Sequence, residues 1–199
     1  IAIQNTRTTF CSAPEGSSFY IYNTNKIILT NSEIEESSPS RRSGIESNCF
    51  ITTTLDQIEE VNFTSCYSQL SSAALLLDCS ESQIIKFATF QGCNGYNILC
   101  LKGICYSSQS TIEKVVMLDN DLNGIDNSIG NDRHDGNSII CVMGEWKISD
   151  SFFIVNTTNL VSGGFGTVTF FRCTFNIAQE RFESNHNAIF LEYIYQENV

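Results

Sequence analysis

Carboxylate and amide side chains concentrate in one stretch of the chain, residues 119–137, which reads DNDLNGIDNSIGNDRHDGN. Its start, DxDxNG, reproduces the first half of an EF-hand-like loop, in which oxygen ligands alternate and a glycine makes the bend. The twelfth position is Gly130 rather than a bidentate glutamate, so another carboxylate would have to complete the coordination. The candidate calcium ligands are Asp119, Asp121, Asn123 and Asp126, with Asp132 as a substitute. The alternative is an Asn/Asp-rich turn that solvates itself, and no cofactor other than calcium is predicted.

The same stretch carries groups that a polysaccharide hydrolase or lyase would use. A hydrolase needs two carboxyl groups a few ångströms apart, one of them kept protonated. Asp119 and Asp121 lie on one side of an extended segment, with Arg133 and His134 nearby in sequence. Acidic residues elsewhere do not recur in register to form a groove, and Trp146 is the one tryptophan available to stack on a sugar. The sequence therefore favours a protein without enzymatic activity, and a carbohydrate-active or carbohydrate-binding protein is the alternative.

The composition of the 199 residues is that of a strand-and-turn protein with an acidic surface. Hydrophobic residues make up 42% and charged residues 17%, and Ser, Thr and Asn fill many polar positions. A formal charge of −11 repels phosphate backbones, so nucleic acid is not a predicted partner. No apolar run approaches the roughly 18 residues that a membrane-spanning helix needs. The chain begins with Ile1 rather than Met, so we expect a removed leader or a segment of a longer protein.

A large apolar residue followed three places later by Asn, Cys or Ser recurs along the chain, which indicates an internal repeat. The segment from 49 to 66, CFITTTLDQIEEVNFTSC, superposes without a gap on the segment from 76 to 93. The copies of this marker are nearly evenly spaced, except for one enlarged interval between Met117 and Phe153. These copies are Ile34/Ser37, Phe63/Cys66, Phe90/Cys93, Met117/Asn120, Phe153/Asn156 and Phe182/Asn185.

The repeat predicts an all-β fold, because apolar residues alternate with polar ones inside each copy as they do in strands with one buried face. Such a unit cannot bury its apolar face alone, whereas stacked copies share a continuous core. The predicted fold is a single-stranded parallel β-helix of about six to seven coils, each of about 27–29 residues. Residues 1–18 are predicted as an N-terminal cap or lead-in strand and residues 19–199 as the β-helix. The enlarged interval predicts a loop insertion near 119–137.

The repeat also superposes polar side chains that a parallel β-helix would stack inside. Amide side chains in such a ladder bond to each other and to turn backbone, and cysteine or serine replaces them in other coils. The predicted ladder residues are Cys66, Cys93, Asn120, Asn156 and Asn185. The same register superposes Cys105 on Cys141. Stacked Cβ atoms about 4.8 Å apart are near disulfide range but slightly too far apart, so a bridge would need local adjustment. We therefore expect mostly reduced, buried cysteines.

Two sequons, at Asn62 and Asn156, are candidate N-glycosylation sites. Asn62 alternates out of phase with the inward Val61 and Phe63, so it should face solvent and accept a glycan. Asn156 occupies the predicted ladder position, where a glycan would not fit. The sequence therefore favours Asn62 as the modified residue in a secreted eukaryotic protein.

Two short elements recur in the chain and carry a family resemblance. FIVN at 153–156 and FESN at 182–185 match an FxxN element, and small-residue stretches such as GGFG at 163–166 follow the markers. Together they resemble the FxxN and GGA[ILV] repeats of polymorphic outer-membrane-type surface proteins of chlamydiae. Similar cysteine-bearing β-helix proteins occur in protozoan parasites such as trichomonads. The resemblance implies a surface-exposed or secreted β-helix associated with adhesion, and it carries over no catalytic residues.

These observations predict a secreted or cell-surface structural or adhesive module. Strand character continues through AIFLEYIYQENV, residues 188–199, and an exposed strand edge invites pairing with another strand. We therefore expect the chain either to stack end to end with a second copy, forming an extracellular filament, or to continue in a longer protein. A glycan or a host or cell-surface receptor is the other predicted partner.

Overall fold

The computed structural model describes residues 1–11, 18–36, 49–68, 72–79, 83–103, 110–122, 138–157, 159–162, 166–182 and 188–196. These residues form an all-β structure in which every described strand pair is parallel, as the sequence predicts. A short 3₁₀ helix, Gln179–Phe182, is the one helical element in the described part of the chain. The strands are β1 (Ala2–Gln4), β2 (Arg7–Thr9), β3 (Phe19–Glu35), β4 (Cys49–Thr64), β5 (Ser72–Cys79), β6 (Gln83–Lys86), β7 (Thr89–Gln91), β8 (Asn94–Gly95), β9 (Asn97–Gly103), β10 (Ser110–Glu113), β11 (Val116–Leu122), β12 (Ser138–Ser149), β13 (Phe152–Val155), β14 (Val161–Ser162), β15 (Gly166–Phe171), β16 (Thr174–Phe175), β17 (Ala188–Leu191) and β18 (Ile194–Tyr195).

The pairing register confirms most of the repeat that the sequence predicts. Phe63 pairs with Ile34 in the preceding repeat and with Phe90 in the following one. Met117 then pairs with Phe90 on one side and with Phe153 on the other. The sequence intervals between the first five markers, including the enlarged one, are therefore the spacings between hydrogen-bonded strands.

The last predicted interval is wrong. Phe153 pairs with Phe175, and Phe175 pairs in turn with Tyr195, so the repeat becomes shorter towards the end of the chain. Phe182, the predicted sixth marker, lies on the 3₁₀ helix, where its buried ring contacts Phe175 and Phe190. Its FxxN match is therefore unrelated to the repeat, because Phe175, and not Phe182, is the residue that pairs with Phe153.

One backbone corner recurs in every repeat that the structure describes, and we call it corner A. It consists of a single residue with a positive φ of 48–55°, the left-handed conformation that L-residues usually avoid. In most repeats the amide of this residue donates to a carbonyl of the next repeat, as from Phe87 to Glu113 at 3.1 Å. The corner A residues are Asn5, Asn31, Glu60, Phe87, Lys114, Asp150, Arg172 and Glu192.

A second left-handed corner, corner B, lies five residues after corner A in the first five repeats. Its amides also donate to the following repeat, as from Ser65 to Gln91 at 2.9 Å. After Met117 the register shifts, so that Asn120 pairs with Val155 and one residue is lost from the turn. Corner B consists of Phe10, Glu36, Ser65, Gly92 and Asp119.

Two columns of inward side chains build the core. Each column takes one residue per repeat, two positions before and three positions after corner A, and the middle members are fully buried. In the first and last repeats the corresponding side chains are only partly buried or exposed. The columns are Ile3, Leu29, Ile58, Ile85, Ile112, Ile148, Phe170 and Phe190, and Thr8, Ile34, Phe63, Phe90, Met117, Phe153, Phe175 and Tyr195.

The first two strands belong to the same repeat pattern as the rest of the chain. Strands β1 and β2 pair in parallel with β3, and their corners lie at Asn5 and Phe10. The pairing of these two strands therefore follows the same register as that of the later repeats.

The pairing also locates the predicted insertion. Leu122 pairs with Gly95, and Ser138 pairs with Asn97. The two partners are almost adjacent in sequence, whereas Leu122 and Ser138 are widely separated. The added residues therefore lie between Leu122 and Ser138.

Candidate functional site

The acidic stretch enters the described structure only at its start. Asp119 occupies corner B with a φ of 50° and is exposed. Asp121 is also exposed, and its carboxylate accepts a 2.8 Å hydrogen bond from the amide of Leu122. Asn123, Asp126 and the rest of the predicted calcium loop lie outside the described residues. Among the described residues, no three Asp, Glu, His or Cys side chains are close enough to hold a metal ion.

Asn120, between these two aspartates, has a structural role. Its side chain is buried, its Oδ1 accepts from the amide of Cys93 at 2.9 Å, and its Nδ2 donates to the carbonyl of Phe90 at 2.8 Å. Both partners belong to the preceding repeat, so the amide binds one corner to the next.

Cys66 and Cys93 occupy the same position as Asn120 in the two preceding repeats. The Cys66 thiol donates to the carbonyl of Ile34, and the Cys93 thiol donates to that of Phe63, both at 3.6 Å. Each donor thus bonds to the inward marker residue one repeat earlier, as Asn120 does. A hydrogen bond from the Cys66 thiol lowers the pKa of Cys93 against the opposing effect of burial.

Asn156 does not lie in this ladder. It is exposed, and the register shift pairs Val155 rather than Asn156 with Asn120. Asn176 bonds in a related way one repeat later, because its side-chain amide accepts from the amide of Val155 at 2.9 Å and donates to the carbonyl of Val155 at 3.2 Å. Asn185, the last predicted ladder residue, lies outside the described residues. Asn176 has no signal in the marker pattern, because it directly follows Phe175 whereas the marker places its polar residue three positions later.

Both sequon asparagines are on the surface. Asn62 is exposed, as the alternation of β4 predicts, and Thr64 two residues later is half-buried. Asn156 is exposed as well, although the predicted ladder would have buried it. The steric argument for preferring Asn62 over Asn156 is therefore lost.

A shallow groove of about 490 Å³ runs across the outer face of β12, β15 and β17. Its Phe171 ring already contacts two cations, with Lys147 Nζ 5.0 Å and Arg172 Cζ 4.8 Å from the ring centroid. The Trp146 indole is buried and donates to the carbonyl of Met143 at 3.3 Å. The buried Trp146 indole therefore offers no open face for stacking on a sugar, and the Phe171 ring is already shared with two cations. The groove is lined by Glu145, Trp146, Lys147, Thr167, Thr169, Phe171, Ile189 and Leu191.

The groove ends at an apolar edge formed by the last two strands, β17 and β18, which we call the C-terminal edge. Within the described residues, β17 pairs only with β15, and β18 pairs only with β16. Tyr195 has the register position of the fully buried Phe175, yet 48% of its surface is exposed. Outward-facing apolar side chains are also about half exposed along this edge, namely Ile189, Leu191 and Ile194.

The opposite end of the described structure has a similar free edge. Strands β1 and β2 pair with β3 alone among the described strands, so one side of each has no strand partner there. Ile3 packs against the core while remaining partly buried, and Phe10 is exposed. The two ends thus present parallel strand edges with uncovered apolar side chains.

Comparisons with known proteins give no family assignment: no family model, curated protein or solved structure matches the chain. In the described part of the chain, no helix is both long enough and apolar enough to cross a membrane.

Proposed function

We propose that the chain is a single-stranded parallel β-helix that serves as a structural or adhesive module at a cell surface or outside the cell. The recurrence of corner A at one register position supports the coil, because a solenoid must turn the chain at the same point in every repeat. The inward columns support it further, since stacked copies share one narrow core. The function we infer is end-to-end assembly of such modules into a filament.

The observation that carries this proposal is the C-terminal edge. A strand edge presents a row of unpaired N–H and C=O groups, and an exposed apolar edge is a template for pairing with another chain. Phe190 and Tyr193 contact each other and the core, with ring centroids 5.4 Å apart, yet both remain partly exposed. A further repeat placed on β17 and β18 would bury them.

A second copy of the chain supplies a suitable repeat. If its β1 continues the register of β17, Ile3 falls on Phe190 and Asn5 falls on Glu192 at corner A. Ile3 is the inward residue of β1 and is itself only partly buried, so the contact covers an apolar surface on both sides. A head-to-tail contact of this kind does not close on itself and generates a filament.

Electrostatics oppose this assembly at low salt. Corner A alternates in charge through Lys114, Asp150, Arg172 and Glu192, and Arg172 donates to Asp150 at 2.8 Å. The whole chain nevertheless carries a formal charge of −11, so copies repel one another. Because salt screens this repulsion, we expect assembly to increase with ionic strength.

The adhesive part of the proposal concerns the sides of the β-helix. Filaments would display the outer face repeatedly, and many weak contacts to a glycan or a cell-surface receptor would add through multivalency. The exposed sequon at Asn62 and the cysteine content fit a secreted protein. A calcium ion in the 119–137 loop would be an additional ligand of the module.

Light scattering coupled to size exclusion tests the assembly with a matched pair of variants. Ile194 at the C-terminal edge and Phe87 in the middle of the chain are 48% and 49% exposed, so Ile194→Glu and Phe87→Glu add the same charge at equally exposed sites. We expect the mass of the wild type to grow with protein concentration and salt. Ile194→Glu should remain monomeric, while Phe87→Glu should assemble like the wild type.

Two results would count against the proposal. The first is a wild type that stays monomeric at high concentration in high salt. The second is equal assembly of both variants, which would locate the contact away from β18.

A further inference from the structure

Two pairs of cysteines lie directly opposite each other in neighbouring repeats. Cys66 and Cys93 are flanked by the paired residues Thr64 and Gln91 on one side and by a bridge between Tyr67 and Asn94 on the other. The amide of Asn94 also donates to the carbonyl of Cys66 at 2.9 Å. Both side chains are essentially fully buried.

The second pair, Cys100 and Cys141, are register partners on β9 and β12. They form a small buried cluster with Leu76, separate from the main core to which Leu99 and Leu101 belong. The pair therefore lies on the opposite face of the strands from the core. The predicted superposition of Cys105 on Cys141 is wrong, because the insertion before β12 is longer than the interval between the flanking markers indicates.

The structure assigns these two pairs as sites of disulfide formation between neighbouring repeats. Register partners on adjacent strands lie about 4.8 Å apart, within the about 4.4–6.8 Å that separates the Cα atoms of a disulfide. The bond requires a small local adjustment, because its Cβ atoms must approach to about 3.5–4.5 Å. All four cysteines are thiols in the structure, so the assignment describes their oxidation. It revises the expectation, drawn from sequence, that the cysteines stay mostly reduced.

The reaction is thiol–disulfide exchange with a small-molecule disulfide such as oxidised glutathione. One protein thiolate attacks a sulfur of the oxidant, forms a mixed disulfide and releases one glutathione thiolate. The second protein thiol, after losing its proton, attacks the mixed disulfide and releases the second glutathione. The protein loses two hydrogen atoms per bond, and the oxidant is reduced to two glutathione molecules.

Burial determines when the exchange takes place. The four side chains are at most 4% exposed, so a dissolved disulfide reaches them before the neighbouring repeats close over them. The bonds would then form while the chain folds in an oxidising compartment.

Cys173 provides a matched control within the same chain. It is buried and its thiol donates to the carbonyl of Ile148 at 3.5 Å, as the thiols of Cys66 and Cys93 do to theirs. Its register neighbours are Ser151 and Tyr193, as the flanking pairs on β13, β16 and β18 require. With no cysteine opposite it, Cys173 should remain a thiol.

Peptide mapping of protein folded in a glutathione redox buffer tests the assignment. Free thiols are alkylated in denaturant, and chymotrypsin, which cuts after Tyr96, separates Cys93 from Cys100 before mass spectrometry. We expect peptides linked through Cys66–Cys93 and through Cys100–Cys141, with Cys173 alkylated. Alkylation of all four cysteines, or linkage in other combinations, would overturn the assignment.

Two variants distinguish specific pairing from general oxidation. Cys93→Ser should leave Cys66 alkylated while the Cys100–Cys141 peptide persists, and Cys173→Ser should leave both linked peptides unchanged. If Cys93→Ser instead links Cys66 to another cysteine, the register does not select the partner. Peptide mapping does not depend on filament formation, so the disulfide assignment is tested separately from the proposed function.

Discussion

The first five repeats and the last ones differ in length and in the side chains that fill the core. From Asn5 to Lys114, corner A recurs at nearly even intervals and corner B follows it each time. From Asp150 onwards the intervals are shorter, and the next two corners are Arg172 and Glu192. The first five repeats fill their inward columns mainly with Ile, Leu and Met, with Phe at two positions, whereas the last three use Phe and Tyr at every position except Ile148.

The difference teaches how a repeat tolerates shortening. Aromatic rings supply a large apolar area from few residues, so a short repeat can still fill the core. Phe153 stacks on Phe175 at 4.8 Å, and Phe175 stacks on Tyr193 at the same distance. Further edge-to-face contacts connect these rings to Phe170. The last rings remain partly exposed, because no described repeat covers them.

The largest expected effect comes from truncating one aromatic ring in each region. Phe90 is fully buried and stacks on Phe63 at 4.9 Å, whereas Phe190 is only partly buried. Phe90→Ala should reduce the free energy of unfolding by about 3–5 kcal/mol, through lost contacts and a cavity. Phe190→Ala should cost about 1–2 kcal/mol, because less area returns to water.

Urea unfolding of the monomeric protein measures both variants, and Phe10→Ala is the control because Phe10 is 75% exposed. Equal losses for Phe90→Ala and Phe190→Ala would mean that the C-terminal edge is as well covered as the middle of the chain. That result would remove the contrast between the two regions and weaken the case for an open edge.

A smaller effect is expected from adding one methyl group to a glycine in each region. A Cβ on Gly166 would lie 2.7 Å from the carbonyl oxygen of Gly144, which is backbone and cannot move aside cheaply. A Cβ on Gly92, at corner B, would make only an ordinary 3.7 Å contact with Ser65 Oγ, but Gly92 has a φ of +60°. Gly166→Ala should therefore cost about 2–3 kcal/mol through steric strain, and Gly92→Ala about 1 kcal/mol through its left-handed backbone.

Thermal unfolding of the two glycine variants ranks them directly. Because Ser65 and Asp119 adopt the same left-handed conformation at corner B, Gly92→Ala should still fold. A larger loss for Gly92→Ala than for Gly166→Ala would contradict the close approach of β12 and β15.

The smallest effect is a difference in alkaline stability between buried thiols of the two regions. Burial raises the pKa of Cys173 to about 11, whereas the bond from Cys66 lowers that of Cys93. Since the unfolded thiol ionises more readily than folded Cys173, its stabilising contribution is complete below the unfolded pKa and is lost as pH rises towards 11. Under reducing conditions, Cys173→Ala should flatten the alkaline fall in unfolding free energy by an amount on the order of 1 kcal/mol.

This fall is followed by urea unfolding at increasing alkaline pH. Cys93→Ala should not flatten it, because a thiol with a lowered pKa contributes stability that is present at alkaline pH and is lost as pH falls. Identical pH profiles for wild type and Cys173→Ala would refute the effect assigned to burial of Cys173.

Much of the fold can be predicted from sequence wherever the marker is regular. The marker superposes Phe63, Phe90, Met117 and Phe153 correctly, because inward positions tolerate few side chains other than large apolar ones. The left-handed corners cannot be found in this way, because residues such as Phe87 do not signal a turn. Asn, Asp or Gly occupies several of the corners, as the left-handed conformation favours, but at Phe87 only the hydrogen bond to the next repeat marks the turn.

The errors arise where the spacing changes. A spacing that stays constant past Phe153 selects Phe182 instead of Phe175. It also carries Asn120 onto Asn156, although the loss of one corner residue shifts the register to Val155. A single deleted residue changes which side chain faces inward, and only the pairing of backbones reveals it.

The structure describes only part of the calcium site that the sequence predicts. Asp119 and Asp121 lie at an exposed corner, as a ligand-bearing turn requires. Asn123 and Asp126 lie outside the described residues, so the site as a whole stays a prediction.

Electron microscopy of the concentrated native protein, with and without EDTA, tests the central claim most directly. If copies stack repeat on repeat, filaments should form with an axial rise per copy of about 38 Å, from the eight strand layers among the described residues spaced at about 4.8 Å. Loss of the filaments in EDTA would indicate that a divalent cation takes part in the contact between copies. Discrete particles in both conditions, or filaments whose axial rise does not fit eight layers, would contradict the account.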